Sequence, residues 1–410
     1  MAHETPAEVG RTYSALAPAR ARLAARDAAI VSTQIALSEI AAPTGEEQRR
    51  GAWVARRFAE LGLCDVRTDE AGNVIGRRPG SAAPTTATPA ARGADPAPVT
   101  VCAHLDTVFP RDIDLVVRRE GARLVGPGIG DNGRGLAAML ALAEEIDGSR
   151  IRTARPIDFV ATTGEEGIGD LRGAKHFFSA TEPPSAVVAL DGAGDERVVH
   201  RAVGSRRFRI TFRGPGGHSW AAYGVANAVH AASIAAARLA GLEPPREPRT
   251  TVSVARIGGG MAVNTIPEEG WLEVDLRSVS PALIERYDRE VRLIARAAAR
   301  WENGRRVPGT PALSCDVVVI GDRPCGEVPA DHALVRSALE ATRLIGREPE
   351  LSTASTDANV PISRGIPAIA IGAGGRGGDM HTPAEWFENV DGPLGIARAL
   401  TIVVTAAGLT

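Results

Sequence analysis

Five short stretches carry residue types suited to metal and acid–base chemistry, and four of them follow an apolar run. His104 and Asp106 stand two positions apart, directly after Val99-Thr100-Val101-Cys102-Ala103. Asp131 lies in the glycine-dense stretch Gly126 to Gly135, ahead of the helix-like run Leu136 to Ile146. Glu165 and Glu166 sit between glycines after Ile157 to Thr163, and Asp191 closes the run Ala186 to Leu190. His381 follows Ile366 to Ile371 and a glycine-rich turn, Gly372 to Gly378. One His-x-Asp is more often a hydrogen-bonded structural pair than a site. Its recurrence argues otherwise, because ligands in open α/β sheets bind outside the carboxyl ends of the strands.

The elements that must position these groups follow from the same runs. The expected fold is α/β: a catalytic domain of two sequence segments, residues 1–200 and 312–410, with a mixed sheet flanked by helices. Between them, residues 201–311 change periodicity and carry no further ligand signal, so they read as an inserted α+β, ferredoxin-like lid or dimerisation domain. Within the insert, Arg206 to Arg213 reads as an edge or half-buried strand and an outer surface for pairing with a second copy. Asn227 to Ala240 and Pro281 to Trp301 read as helices, and Thr250 to Ile257 and Trp271 to Arg277 as strands. Near the start, Ala21 to Ile40 reads as a helix; a second opens with a capping box at Thr44 and Glu47 and stops at Gly62. Pro79 to Pro98, rich in Ala, Pro, Thr and Ser, reads as an exposed loop insertion without chemistry.

Composition excludes several function classes. With 410 residues and 44% apolar content a large core is available. Basic and acidic residues nearly cancel, 47 against 49, which gives no clustered basic face for nucleic acid or an anionic membrane. No apolar run reaches the roughly 18 residues of a membrane helix. Four cysteines without metal-type spacing, and an N-terminus without a secretory pattern, suit a protein of the reducing cytoplasm. The glycines of the Gly126 to Gly135 loop are not a nucleotide cradle, since no Gly-Lys-Ser/Thr ending follows.

Taken together, His104-x-Asp106, Gly130-Asp131-Asn132, Thr163-Gly164-Glu165-Glu166, Asp191-Gly192 and His381-Thr382 resemble the co-catalytic di-zinc metallopeptidase family. That family includes peptidase T, carboxypeptidase G, acetylornithine deacetylase and succinyl-diaminopimelate desuccinylase. The resemblance extends into the insert through Gly214 to Ser219 and Asn264-Thr265-Ile266-Pro267. It implies two zinc ions, with cobalt or manganese as substitutes, about 3.5 to 4 Å apart and clamping a hydroxide that attacks the amide carbonyl. It further implies Asp131 as the bridge, His104 and Asp191 on one metal, and Glu166 and His381 on the other. A cis peptide at Asp131-Asn132 and a homodimer are implied as well.

The remaining polar residues keep two readings each. Asp106 is placed to accept the second N–H of His104, or is an ordinary loop carboxylate. Glu165 is a general base or a second metal ligand. His218 holds a developing oxyanion, or caps a surface turn. Asn264 and Arg277 bind a substrate carboxylate, Arg277 being equally suited to a surface ion pair. Glu385 reads as the capping glutamate of a helix opening at Thr382. For substrate, Asp191 and the stretch Ser352 to Asn359 are similar to the peptidase T side and favour short peptides, with an N-acyl amino acid as the alternative. A metal-binding scaffold without hydrolysis is a third possibility, against which Glu165 speaks.

Overall fold

The computed structural model describes residues 6–81 and 96–410. The stretch Pro79 to Pro98 therefore lies largely outside the described residues. The chain divides into two compact units, Met1–Ala202 with Glu327–Thr410, and Val203–Gly326.

The first unit is built on a nine-stranded mixed sheet. At its centre four parallel strands lie in the order Ile157–Thr162, Val99–His104, Ala186–Leu190 and Ala368–Ile371. Every residue of these four strands is buried. Burial on both faces explains why they read as continuous apolar runs rather than alternating ones. The outer strands Val74–Arg78 and Arg197–Ala202 pair antiparallel on either side of this block. Helices Gly133–Gly148 and Gly392–Ala407, each buried over most of its length, contribute to the same core. Apart from the large sheet, Arg376–Gly378, Trp386–Glu388, Arg123–Val125 and Arg118–Glu120 form a small antiparallel sheet, in that order. It brings the segment after His381, Trp386–Glu388, beside Arg123–Val125, the strand before Asp131.

Near the N-terminus the chain departs from expectation. Instead of one helix over Ala21 to Ile40, three short helices run Pro6–Ala15, Ala17–Ala25 and Asp27–Ser38. The helix after Thr44 begins at Gln48 and runs to Glu60, and Gly62 follows at φ +68° as its stop.

In the second unit the strand order is Thr250–Gly259, Glu269–Ser278, Gly204–Arg213, Ser314–Arg323, all antiparallel. With helices Ala228–Ala240 and Pro281–Arg305 this is the strand-helix-strand-strand-helix-strand sequence of a ferredoxin-like fold. Phe208, Ile210 and Phe212 alternate into the core with Leu272, Val274 and Leu276 and with the buried stripes of both helices. Between them, Arg207 and Arg209 form cross-strand ion pairs with Asp275 and Glu273 at 3.2 and 2.8 Å. Two expectations are corrected here. Gly204–Arg213 is an interior strand hydrogen-bonded on both sides, so it cannot pair with another copy; the sheet edges are Thr250–Gly259 and Ser314–Arg323. The unit also continues past Pro311, because Ser314–Arg323 is its fourth strand.

Candidate active site

His104 is the last residue of its strand, Glu165 and Glu166 follow Thr162 across a turn, and Asp191 follows Leu190 at once. Their elements are the central parallel strands, so the three groups emerge at one sheet edge. Asp131 reaches the same place on its glycine loop. There the peptide Asp131-Asn132 is cis, as the resemblance implied. The Asn132 side chain accepts from Gly135 N at 3.0 Å and Gly192 N at 3.1 Å and donates to Leu190 O at 2.9 Å. The residue after the proposed bridge is thereby tied to the strand end that presents Asp191.

The five predicted ligands come together around Asp131. Its Oδ1 lies 2.9 Å from His104 Nε2, and its Oδ2 lies 3.3 Å from His381 Nε2. Asp191 Oδ1 is 3.9 Å from His104 Nε2, and Glu166 Oε1 is 3.0 Å from His381 Nε2. Ligand atoms of His104, Asp131 and Glu166 all lie within 4.8 Å of one another. One carboxylate thus offers a separate oxygen to each of two imidazoles, each with its own second carboxylate. His104 Nδ1 is 3.0 Å from the main-chain oxygen of Asp106 and donates to it, which turns Nε2 toward Asp131.

The electrostatics fit a pair of cations. Burial, and then the neighbouring Asp131, push the Asp191 carboxyl up to about 7, and the same two causes raise Glu166. Burial also opposes charge on Asp131, but its hydrogen bonds to the two histidines hold it well below the usual carboxylate range. His104 is raised well above an ordinary imidazole, because Asp106 and Asp131, with the charge of Glu165, outweigh its burial. His381 is raised to about 9, chiefly by its bond to Asp131. Buried carboxylates that repel one another and lean on two imidazoles are a donor set for divalent metal.

The groups behind the ligands differ from the sequence reading. Asp106 Oδ1 stands 3.6 Å from His104 Nδ1, too far for a hydrogen bond. Its carboxylate instead accepts Glu165 N at 2.9 Å, Glu166 N at 3.0 Å and the Thr44 hydroxyl at 2.9 Å. It fixes the turn carrying both glutamates. Glu47 supports the same turn, accepting Gly164 N at 3.1 Å and pairing with Arg172 at 3.2 Å. Thr44 and Glu47 are therefore not a capping box: Glu47 stands at the N-cap position, but its side chain makes no cap hydrogen bond to the helix. Nor is Glu385 a cap: strand Trp386–Glu388 follows it rather than a helix. The Thr382 hydroxyl donates to Asp379 O within the turn, and the buried Glu385 carboxylate, pushed up to about 7 by burial, accepts amides of the Asp131 loop. Sequence reasoning also missed Asp357, whose carboxylate accepts the Thr162 hydroxyl and whose charge acts on Asp191. It stands in Ser352 to Asn359, the one available signal.

In the second unit, His218 pairs across a two-strand ladder with Thr265, next to Asn264, whose carbonyl accepts Ser219 N at 3.0 Å. His218 Nδ1 accepts Trp220 N at 3.2 Å and Ala221 N at 3.4 Å. The turn-capping role thus belongs to Nδ1, which leaves the proton on Nε2, a donor. Asn264 and Arg277 are not neighbours within the chain. Residue 269 begins the strand just after the Asn264 ladder and Arg277 lies near its far end, eight residues on, or roughly 26 Å at the usual rise. Arg277 pairs there with Asp275 at 2.6 Å.

Among the described residues no helix is long and apolar enough to cross a membrane. No curated protein matches the sequence. Solved structures share its fold. A tripeptidase from Staphylococcus aureus is 23% identical, with TM-score 0.74, over 92% of this chain and 98% of its own. The aminopeptidase PepT from Bacillus cereus is 21% identical, with TM-score 0.72, over 92% and 98%. The Bacillus subtilis YXEP protein, described as a dinuclear metal-binding peptidase of the M20 family, is 16% identical, with TM-score 0.65, over 93% and 98%. The model of peptidase family M20/M25/M40 matches residues 100–405, a span that takes in all five predicted ligand positions, and the chain belongs to that family.

Proposed function

We propose that this protein is a two-zinc hydrolase that cleaves an amide bond in short peptides. The observation that carries the reading is the division of Asp131, one oxygen toward His104 and the other toward His381, with Asp191 and Glu166 at 3.9 and 3.0 Å from those same imidazoles. His104 and Asp191 would hold one zinc, Glu166 and His381 the other, and Asp131 both; cobalt or manganese would substitute. When bound, the pair supplies a Lewis acid for the scissile carbonyl and lowers the pKa of the attacking water.

The chain's own residues do the rest. Glu165, buried beside His104, takes the proton of the attacking water and delivers it to the departing amine nitrogen as the C–N bond breaks. Asp106 positions Glu165 and Glu166 through their amides. His218, a donor at Nε2, stabilises the oxyanion that develops on the substrate carbonyl. Asn264 and Arg277 bind the substrate carboxylate together only if two chains supply one each, which supports a homodimer through the ferredoxin-like unit. All four cysteines are unpaired, in keeping with a cytoplasmic protein. The tripeptidase and aminopeptidase among the structural neighbours favour peptides over N-acyl amino acids.

The test is elemental analysis of gently purified protein, followed by incubation with mixed short peptides and N-acyl amino acids and mass spectrometry of the products. Two zinc equivalents and a free amino-terminal residue are expected. A chain with one metal or none, not activated by zinc, cobalt or manganese, would sink the reading. Release of an acyl group alone would move the substrate to the deacylase side.

A further inference from the structure

Glu385 is fully buried, yet no arginine or lysine pairs with it among the described residues. Its charge is met by main-chain amides. Oε1 accepts Gly130 N and Asp131 N, both at 2.8 Å, and Oε2 accepts Gly128 N at 3.1 Å. Its own main-chain oxygen accepts Gly126 N at 2.9 Å. The next residue, Trp386, is in register with Val125, so the loop that ends in Asp131 and the turn that holds His381 leave one small sheet side by side. Glu385 is the clasp between them.

Burying a carboxylate among other carboxylates is costly unless hydrogen bonds satisfy it. A merely structural link between two loops would be served by a neutral amide or hydroxyl. We propose that Glu385 is a positioning residue for the metal pair: from the turn that carries His381 it grips the Gly128, Gly130 and Asp131 amides and sets the bridging carboxylate against the second histidine. The proposal rests on the two-metal reading. It also predicts an asymmetry. His104 and Asp191 are fixed by strand ends and by Asn132, independently of Glu385, whereas the partnership of Asp131 with His381 depends on it.

The experiment compares wild type with E385A, E385D and E385Q by metal stoichiometry after dialysis, chelator-competition titration, and kcat and KM across added zinc. Wild type should hold two equivalents. E385A should keep the first and bind the second roughly 10- to 100-fold more weakly, the range for losing an outer-shell partner. E385D, one methylene short of the amides, should behave like E385A despite its charge. E385Q keeps an acceptor for Gly130 and Asp131 but turns an N–H toward Gly128, so its defect should be intermediate. In each, excess zinc should restore kcat with KM unchanged, a rescue that a misfolded site would not show. If E385A does not fold, E385Q decides: a weakened second equivalent rescued by zinc sustains the role, and wild-type uptake overturns it. Wild type holding fewer than two equivalents overturns the two-metal reading and this role with it. Two equivalents held equally tightly by wild type and E385A overturn the role of Glu385 alone.

Discussion

Glu165 and Glu166 are adjacent, yet their surroundings separate them. Glu166 lies 3.0 Å from His381, while the charge of Glu165 falls on His104. Glu165→Gln should therefore keep its metal while turnover falls by about 10²- to 10⁴-fold, the contribution of a general base; elemental analysis beside steady-state kinetics checks both halves. A variant that hydrolyses normally removes Glu165 from the mechanism. His381 gives a pH dependence. Its bond to Asp131 holds it up to about 9, with burial opposing and Glu166 assisting. A histidine binds metal only when deprotonated. Metal affinity should therefore climb between about pH 6.5 and 9, with proton release detectable by calorimetry in buffers of different ionisation heat. An affinity flat over that range would remove His381 from the ligand set. By the same linkage, the metal-free fold draws stability from this raised pKa below about 6.5 and loses it as pH passes through about 9.

At the scale of elements, the glycine loop is as specific as the ligands it carries. Gly128 adopts φ +70°, and a Cβ there would come 2.7 Å from Thr107 Cγ2 and 3.3 Å from Asp131 O. Gly128→Ala should cost more than about 1 kcal/mol in chemical denaturation of the metal-free protein and weaken metal uptake; unchanged stability would mean that the loop relaxes freely. The loop and the strand ends were legible in the sequence because a strand buried on both faces must be apolar throughout, so its last polar residue announces itself. The supports were not. Thr44-x-x-Glu47 and Thr382-x-x-Glu385 both match a helix N-terminus, since the same hydroxyl and carboxylate satisfy local amides or distant ones equally well. Only tertiary contact decides: it sends Glu47 to the turn that carries Glu165 and Glu166 and Glu385 to the loop of Asp131, while the Thr44 hydroxyl bonds Asp106 and that of Thr382 stays within its own turn. The strand Ser314–Arg323 was missed for a related reason. Its apolar run Val317 to Ile320 is visible, but membership of a sheet depends on a partner more than a hundred residues away, Gly204–Arg213.

For the whole molecule, the question is how many chains make one site. The edges open to pairing are Thr250–Gly259 and Ser314–Arg323, the latter exposing Val318, Val319 and Ile320. Light scattering should give twice the 42.7 kDa chain mass. His218→Ala should retain metal and lose about a hundredfold in turnover, as for one oxyanion donor. Mixing His218→Ala chains with Glu165→Gln chains then separates the arrangements. Recovered activity after subunit exchange means that the histidine is supplied across the interface, and none means that each chain uses its own.

The place of Ala368–Ile371 in the large sheet bears on synthesis. This strand lies between Ala186–Leu190 and Arg197–Ala202, and His381 follows it, so the sheet and the ligand set stay incomplete until almost the whole chain has left the ribosome. The 190 residues that follow Asp191, up to and including His381, take roughly 10 to 40 s to translate. Throughout that interval the nascent chain carries an open, wholly apolar strand edge and the site's carboxylates without His381. Such an edge is a template for aggregation, and the proposed metal pair can be completed only once His381 has emerged.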